Sequence, residues 1–176
     1  MSLRRVTVVW LWLLFSGAAH AQHAQMTPGM SHEEHLRQMQ KDADLKRRGG
    51  GAMGFDQDKT THHFRLTPTG GSIAVAANSD ADEVSRTQIR EHLRAIAGQF
   101  ADGVFDAPFA THGDVPPGVV AMTRLKAAIT FSYEDAADGG VVRIETSDCD
   151  ATRAVHDFLR YQITEHRTGD PLTVQP

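Results

Sequence analysis

Cysteine is all but missing: the 176-residue chain has one, Cys149. A lone cysteine excludes an internal disulfide and a cysteine-based zinc cluster. Any metal site must then be built from histidine, methionine, carboxylate and water. Surplus positive charge is also missing, with 18 Lys and Arg against 22 Asp and Glu, and with it the basic footprint of a nucleic-acid binder. Beyond the N-terminus no apolar run is long enough for a membrane span. There is no nucleophile elbow, phosphate loop, zincin motif or dinucleotide fingerprint.

The N-terminus has a basic start (Arg4, Arg5), an apolar run from Val6 to Phe15, and small residues ending in Ala19-His20-Ala21. That order is expected of a secretory signal peptide over residues 1–21, too short and wrongly flanked for a membrane span. The expected mature chain begins near Gln22 in a bacterial periplasm. Without the two leader arginines its net charge is about −6. No cysteine at the cleavage point suggests a lipid anchor.

Residues 22–54 are polar and rich in Met, His and Gln. Ser31-His32-Glu33-Glu34 fits a capping box, and a short helix to Arg48 follows. The run Gly49-Gly50-Gly51 is expected to break it, leaving a mobile arm. The folded domain is expected over 55–171, with a tail over 172–176.

Within the domain, His62 to Thr67 alternates as a strand, Pro68 to Gly71 turns, and Ile73, Val75 and Ala77 give the returning strand its apolar face. Ser79-Asp80-Ala81-Asp82 caps a helix with the stripe Val84, Ile89, Leu93, Ile96, Ala97 and Phe100. The order then repeats: a strand face of Ile129, Phe131 and Tyr133, the turn Asp138-Gly139-Gly140, and a return through Val142 and Ile144. Ser147-Asp148-Cys149-Asp150 caps a helix bearing Val155, Phe158, Leu159, Gln162 and Ile163. A ββα unit used twice predicts an α+β two-layer sandwich: a four-stranded, mainly antiparallel sheet with two helices on one face. Between the halves, Pro116-Pro117 opens a short helix through Lys126.

Nine histidines remain after cleavage. His62 shares a strand face with Phe64 and Leu66 and points inward, while His63 points outward. His92 flanks the first helix stripe. Counted from Asp82 and Asp150, His92 and His156 fall on the same face of the two helices, one turn apart. A metal site between sheet and helices from His62, His92 and His156 follows. The plainer account of each one alone is a hydrogen-bonded structural residue. His112 sits in a loop of no fixed direction. His166 ends the second inner stripe, where the helix dipole favours its protonated form, and Gly169 and Pro171 explain the helix stop without function. In the arm, His32, His35 and Met39 lie at i, i+3 and i+7, with His23, Met26 and Met30 before them. Imidazole and thioether together suit a copper ion, against the plainer account of a solvated tail. Cys149 reads as a small cap residue. Glu91 and Asp157 neighbour His92 and His156 in sequence but diverge around the helix, so neither forms an acid–base pair.

Met53-Gly54-Phe55-Asp56-Gln57 with Lys59 to Phe64, and Val155 to Ile163 through His166-Arg167-Thr168-Gly169-Asp170, resemble a family of small exported bacterial proteins. The resemblance covers about Met53 to Pro171 and implies no activity. Some members carry the name aspartate carbamoyltransferase. This chain lacks the Ser-x-Arg-Thr-type carbamoyl-phosphate loop: Val84-Ser85-Arg86-Thr87 misses the intervening residue and falls in a predicted helix.

The expected function is therefore that of a periplasmic accessory protein binding a transition metal, copper favoured. One alternative is a module that presents His63, Arg65, Arg143 and Glu145 on the open sheet face to a small molecule, a second copy or a periplasmic partner. A histidine-dependent enzyme comes third.

Overall fold

The computed structural model describes residues 30–176. The expected signal peptide and the arm residues His23 and Met26 lie outside them.

Helix α1 runs from His32 to Met53. Its start is the capping box: Ser31 Oγ accepts from the Glu34 amide at 3.2 Å and the Glu34 carboxylate accepts from the Ser31 amide at 2.8 Å. The glycine run does not end it. Gly49, Gly50 and Gly51 lie inside the helix, which stops at Gly54 in the left-handed region, φ 74°. A side chain at buried Gly49 would displace the end of the Gln57 side chain, which packs there and donates to the Lys46 carbonyl at 3.3 Å. That contact offsets a propensity cost of about 1 kcal/mol per glycine. Arg48 Nε and Nη2 donate to the carbonyls of Thr111 and His112 at 3.0 and 3.2 Å. Lys41 pairs with Glu165 at 3.0 Å and Arg167 with Asp42 at 2.8 Å. The described part of the arm is thus a helix laid on the domain.

Strands β1 (Thr60–Thr67), β2 (Gly70–Ala77), β3 (Ile129–Asp135) and β4 (Gly139–Thr146) form one antiparallel sheet in the order β1-β2-β4-β3. Helices α2 (Glu83–Ala101) and α5 (Cys149–His166) cover one face, giving the α+β two-layer sandwich. Short helices α3 (Asp106–His112) and α4 (Val119–Arg124) join the halves.

The two ββα units pack crosswise. Helix α2 lies chiefly over β3 and β4, and α5 over β1 and β2. Each central strand also ends on the other hairpin's turn: Ala77 N–H donates to the Asp138 carbonyl and Thr146 N–H to the Thr69 carbonyl, both at 2.9 Å. Gly71 and Gly140 have equivalent places in β2 and β4. A side chain at Gly71 would strike Leu159 of α5, and one at Gly140 would press on Leu93 of α2, so each glycine seats a leucine from the other unit.

The caps revise the expected alignment of the helices. Asp82 caps α2, accepting from the Ser85 amide, whereas Asp148 caps α5, accepting from the amides of Asp150 and Ala151. The second aspartate of one S-D-x-D run therefore corresponds to the first of the other. Counted from these caps, the partner of His92 is Phe158 and the partner of His156 is Arg90, so His92 and His156 are not on one common face. Val84, expected in the inner stripe, is 68% exposed, because five residues before Ile89 puts it about 140° away around the helix. Ser85 takes the buried place and bonds Asp82.

Candidate functional site

Beneath α1, and between the sheet and helices, lies a small cavity of about 50 Å³. Four histidines line it: His62 from β1, His92 from α2, His112 from α3 and His166 from α5. The His62 and His166 rings stack at 5.3 Å between centroids, and His112 meets His166 edge-on at 5.1 Å. Phe55 bridges to the fourth, stacking on His62 at 5.8 Å and meeting His92 edge-on at 5.6 Å. Met53, at the end of α1, closes the wall beside apolar side chains of the core.

The polar atoms here are only partly satisfied. His112 Nε2 donates to Gln162 Oε1 at 2.9 Å, which leaves a lone pair on Nδ1. That Nδ1, His62 Nε2 and Gln162 Nε2 are buried with no hydrogen-bond partner. Burial disfavours a charged imidazole. It lowers His62 to about 4, with the positive charges of His92 and His63 adding to the effect, and lowers His92 to about 4. His166 is pushed down to about 3 by burial and then by His62 and His112. His112 is lowered too, by burial above all, against the opposing influence of Gln162 and Glu165. For His166 the expected helix-dipole effect, about 0.3–1 kcal/mol, is outweighed by desolvation.

Phenylalanine occupies the position equivalent to three of these histidines in the opposite ββα unit. From the caps, His92 corresponds to Phe158 and His166 to Phe100. From strand register, His62 opposite Val75 corresponds to Phe131 opposite Ile144. Phe100 meets Phe131 at 5.8 Å and Phe158 at 6.1 Å, both edge-on. One set of equivalent positions, drawn from both units, thus holds three phenyl rings where the symmetry-related set holds three imidazoles.

The expected site residues are placed as follows. His62 and His92 line the cavity, and His156 does not. His156 Nε2 donates to the Thr67 carbonyl at 2.9 Å, as its counterpart Arg90 donates to the carbonyls of Gly139 and Ala136 at 3.0 and 2.7 Å. Both tie a helix to the opposite hairpin. His32, His35 and Met39 do fall along α1, with Met39 52% exposed. From Met39 to Met53 the helix rises about 21 Å, so these three are remote from the cavity. His112, expected in a loop, is the buried last residue of α3. Spacing alone hid His166 and Met53, although Gln162 within an apolar stripe was a signal for the first.

Beside His92 a surface depression of about 260 Å³ between α1, α2 and α3 shares His92, Ile96 and Ala107 with the cavity wall. His92 stands between the cavity and solvent. Among the described residues no three His, Cys, Asp or Glu side chains stand together as a ready metal-ligand set. None of the helices there is long and apolar enough to cross a membrane. The chain matches no protein-family model, no curated protein and no solved structure.

Proposed function

We propose that the protein is a periplasmic accessory protein that binds a transition-metal ion, copper favoured, in the histidine-walled cavity. The observation that carries this reading is the exchange of phenyl for imidazole. The equivalent positions Phe100, Phe131 and Phe158 pack without polar groups, so imidazoles at His62, His92 and His166 are not needed to fill the core. Buried polar atoms without partners cost stability, and in the cavity His62 Nε2, His112 Nδ1 and Gln162 Nε2 bear that cost together, which points to a ligand. Neutral imidazoles are the metal-binding form, and the nearby thioether adds to the preference for copper. The α1 residues His32, His35 and Met39 serve as a surface capture point for the same ion.

The test is a copper titration of the mature protein and of a His62→Phe, His92→Phe, His166→Phe variant. Each replacement copies the counterpart residue, and a cooperative thermal melt of the variant is the check that it folds. One tight site lost in the variant is the expected result. Binding no tighter than micromolar, or an undiminished site in the variant, would sink the reading. The open sheet face supports the rival module less well, because three of its four polar side chains, all but Glu145, have partners within the chain. His63 pairs with Asp170 at 3.0 Å, Arg65 donates to the Pro176 carbonyl at 2.5 Å and Arg143 pairs with Glu134 at 2.7 Å.

A further inference from the structure

The donor set of the cavity restricts which ion it accepts. Among the described residues that line it there is no Asp, Glu, Cys, Lys or Arg. The available ligands are uncharged imidazoles and the Met53 thioether. The Born penalty for bringing an ion out of water grows as the square of its charge, so a dication pays about four times what a monocation pays in the same apolar surroundings. Without an anionic ligand, nothing on the wall offsets that difference. Zinc, calcium and magnesium sites are usually completed by carboxylate, thiolate or several waters, and this cavity has neither the charges nor the room.

Coordination number points the same way. The donors on the wall, neutral imidazoles and one soft thioether, suit an ion content with two or three such ligands. His62 and His166 stack at 5.3 Å with planes 17° apart, so a ring must turn out of the stack for both to offer a lone pair to one ion, and His62 Nε2 is enclosed without a partner. Resting on the metal-binding reading, we propose that the ion is monovalent copper, held by His62, His166 and the Met53 thioether. Because Met53 ends α1, loading the ion also fastens that end of α1 to the domain. The nearest fastening now is Arg48, which donates to the Thr111 and His112 carbonyls of α3.

The experiment is an anaerobic titration with Cu(I), buffered by a chromophoric chelator, alongside Cu(II) and Zn(II). It uses the mature protein with His23, Met26, Met30, His32, His35 and Met39 replaced by Ala, so that the N-terminal residues cannot hold the ion. The same protein carrying Met53→Leu, which keeps volume and hydrophobicity, is the comparison. X-ray absorption reads a Cu–S contact, and hydrogen exchange reads the amides of residues 45–54. Loss of an outer-shell partner already costs about 10–100-fold in metal affinity, so Met53→Leu is expected to weaken Cu(I) by at least about that. The Cu–S signal and the copper-dependent protection of α1 should vanish with it. Zn(II) binding as tight as Cu(I), or unchanged Cu(I) affinity in Met53→Leu, would overturn the inference and leave the metal-binding reading standing. No binding of any ion would remove both.

Discussion

At the scale of the residue, the histidines set how stability depends on pH. Folded His62 and His92 titrate at about 4 and His166 at about 3, whereas each titrates near 6.5 in an open chain. The unfolded chain therefore binds more protons between those values. Stability is full above about pH 6.5 and declines as pH falls towards 4, by about 1.4 kcal/mol per unit for each such ring. The urea midpoint of the metal-free protein should drop steeply from pH 6.5 to 5, and that of the His62→Phe, His92→Phe, His166→Phe variant should stay nearly level. Equal slopes would mean that the rings reach water without unfolding. Asp170 makes stability fall in the same direction, but at lower pH and through a favourable charge in the folded state. Burial works against its charge, but hydrogen bonds from Thr168, the Phe64 amide and His63 outweigh it and hold the carboxyl below its ordinary range. Asp170→Asn is expected to cost about 1–3 kcal/mol, measured by thermal melts at pH 7, and an unchanged midpoint would show that this anchor of the C-terminal tail is dispensable. The inward direction of His62 was legible from strand alternation alone. The partners of His62 were not, because His112 and His166 reach it from α3 and α5, and spacing does not fix how separate elements meet.

At the scale of the element, the strands, the two covering helices and the capping box of α1 were legible because period, turn residues and caps agree locally. Two features were not. The repeat S-D-x-D pattern has two aspartates, and only the structure shows that α2 starts on the second and α5 on the first. Two residues of offset turn a helix by about 200°, enough to pair His92 with the wrong counterpart. The other is α1, where glycines read as a breaker lie inside a helix held by tertiary contacts. Gly51 has open space around it, so Gly51→Ala should gain up to about 1 kcal/mol of helix stability, read as slower amide exchange across α1. Faster exchange would show that the glycine relieves a contact. Arg48→Ala removes both bonds to the α3 carbonyls and should speed exchange in α1 while leaving the sheet amides protected. Loss of protection in both would mean that α1 and the sheet open as one unit.

At the scale of the whole molecule, the crossed packing makes the repeat indivisible. A ββα unit on its own would carry α2 with its apolar stripe, yet the sheet surface that α2 mainly covers belongs to β3 and β4. The same holds for α5 over β1 and β2, and the leucine seats at Gly71 and Gly140 are each filled from the other unit. Such halves are also short, in the range where a single chain buries too little surface to be stable alone. The histidine cavity needs the same arrangement, since His62 and His92 come from the first unit and His166 from the second. A fragment from Gln22 to Asp102 and another from Gly103 to Pro176 should therefore each show disordered circular dichroism and no cooperative melt. Mixed in equal amounts, they should regain the helix signal and a single transition, at a midpoint that rises with concentration because association is now required. A cooperative melt in either fragment alone would show that each half can close its own core, and the exchange of helices between the two hairpins would then be a feature of the fold without being what holds it together.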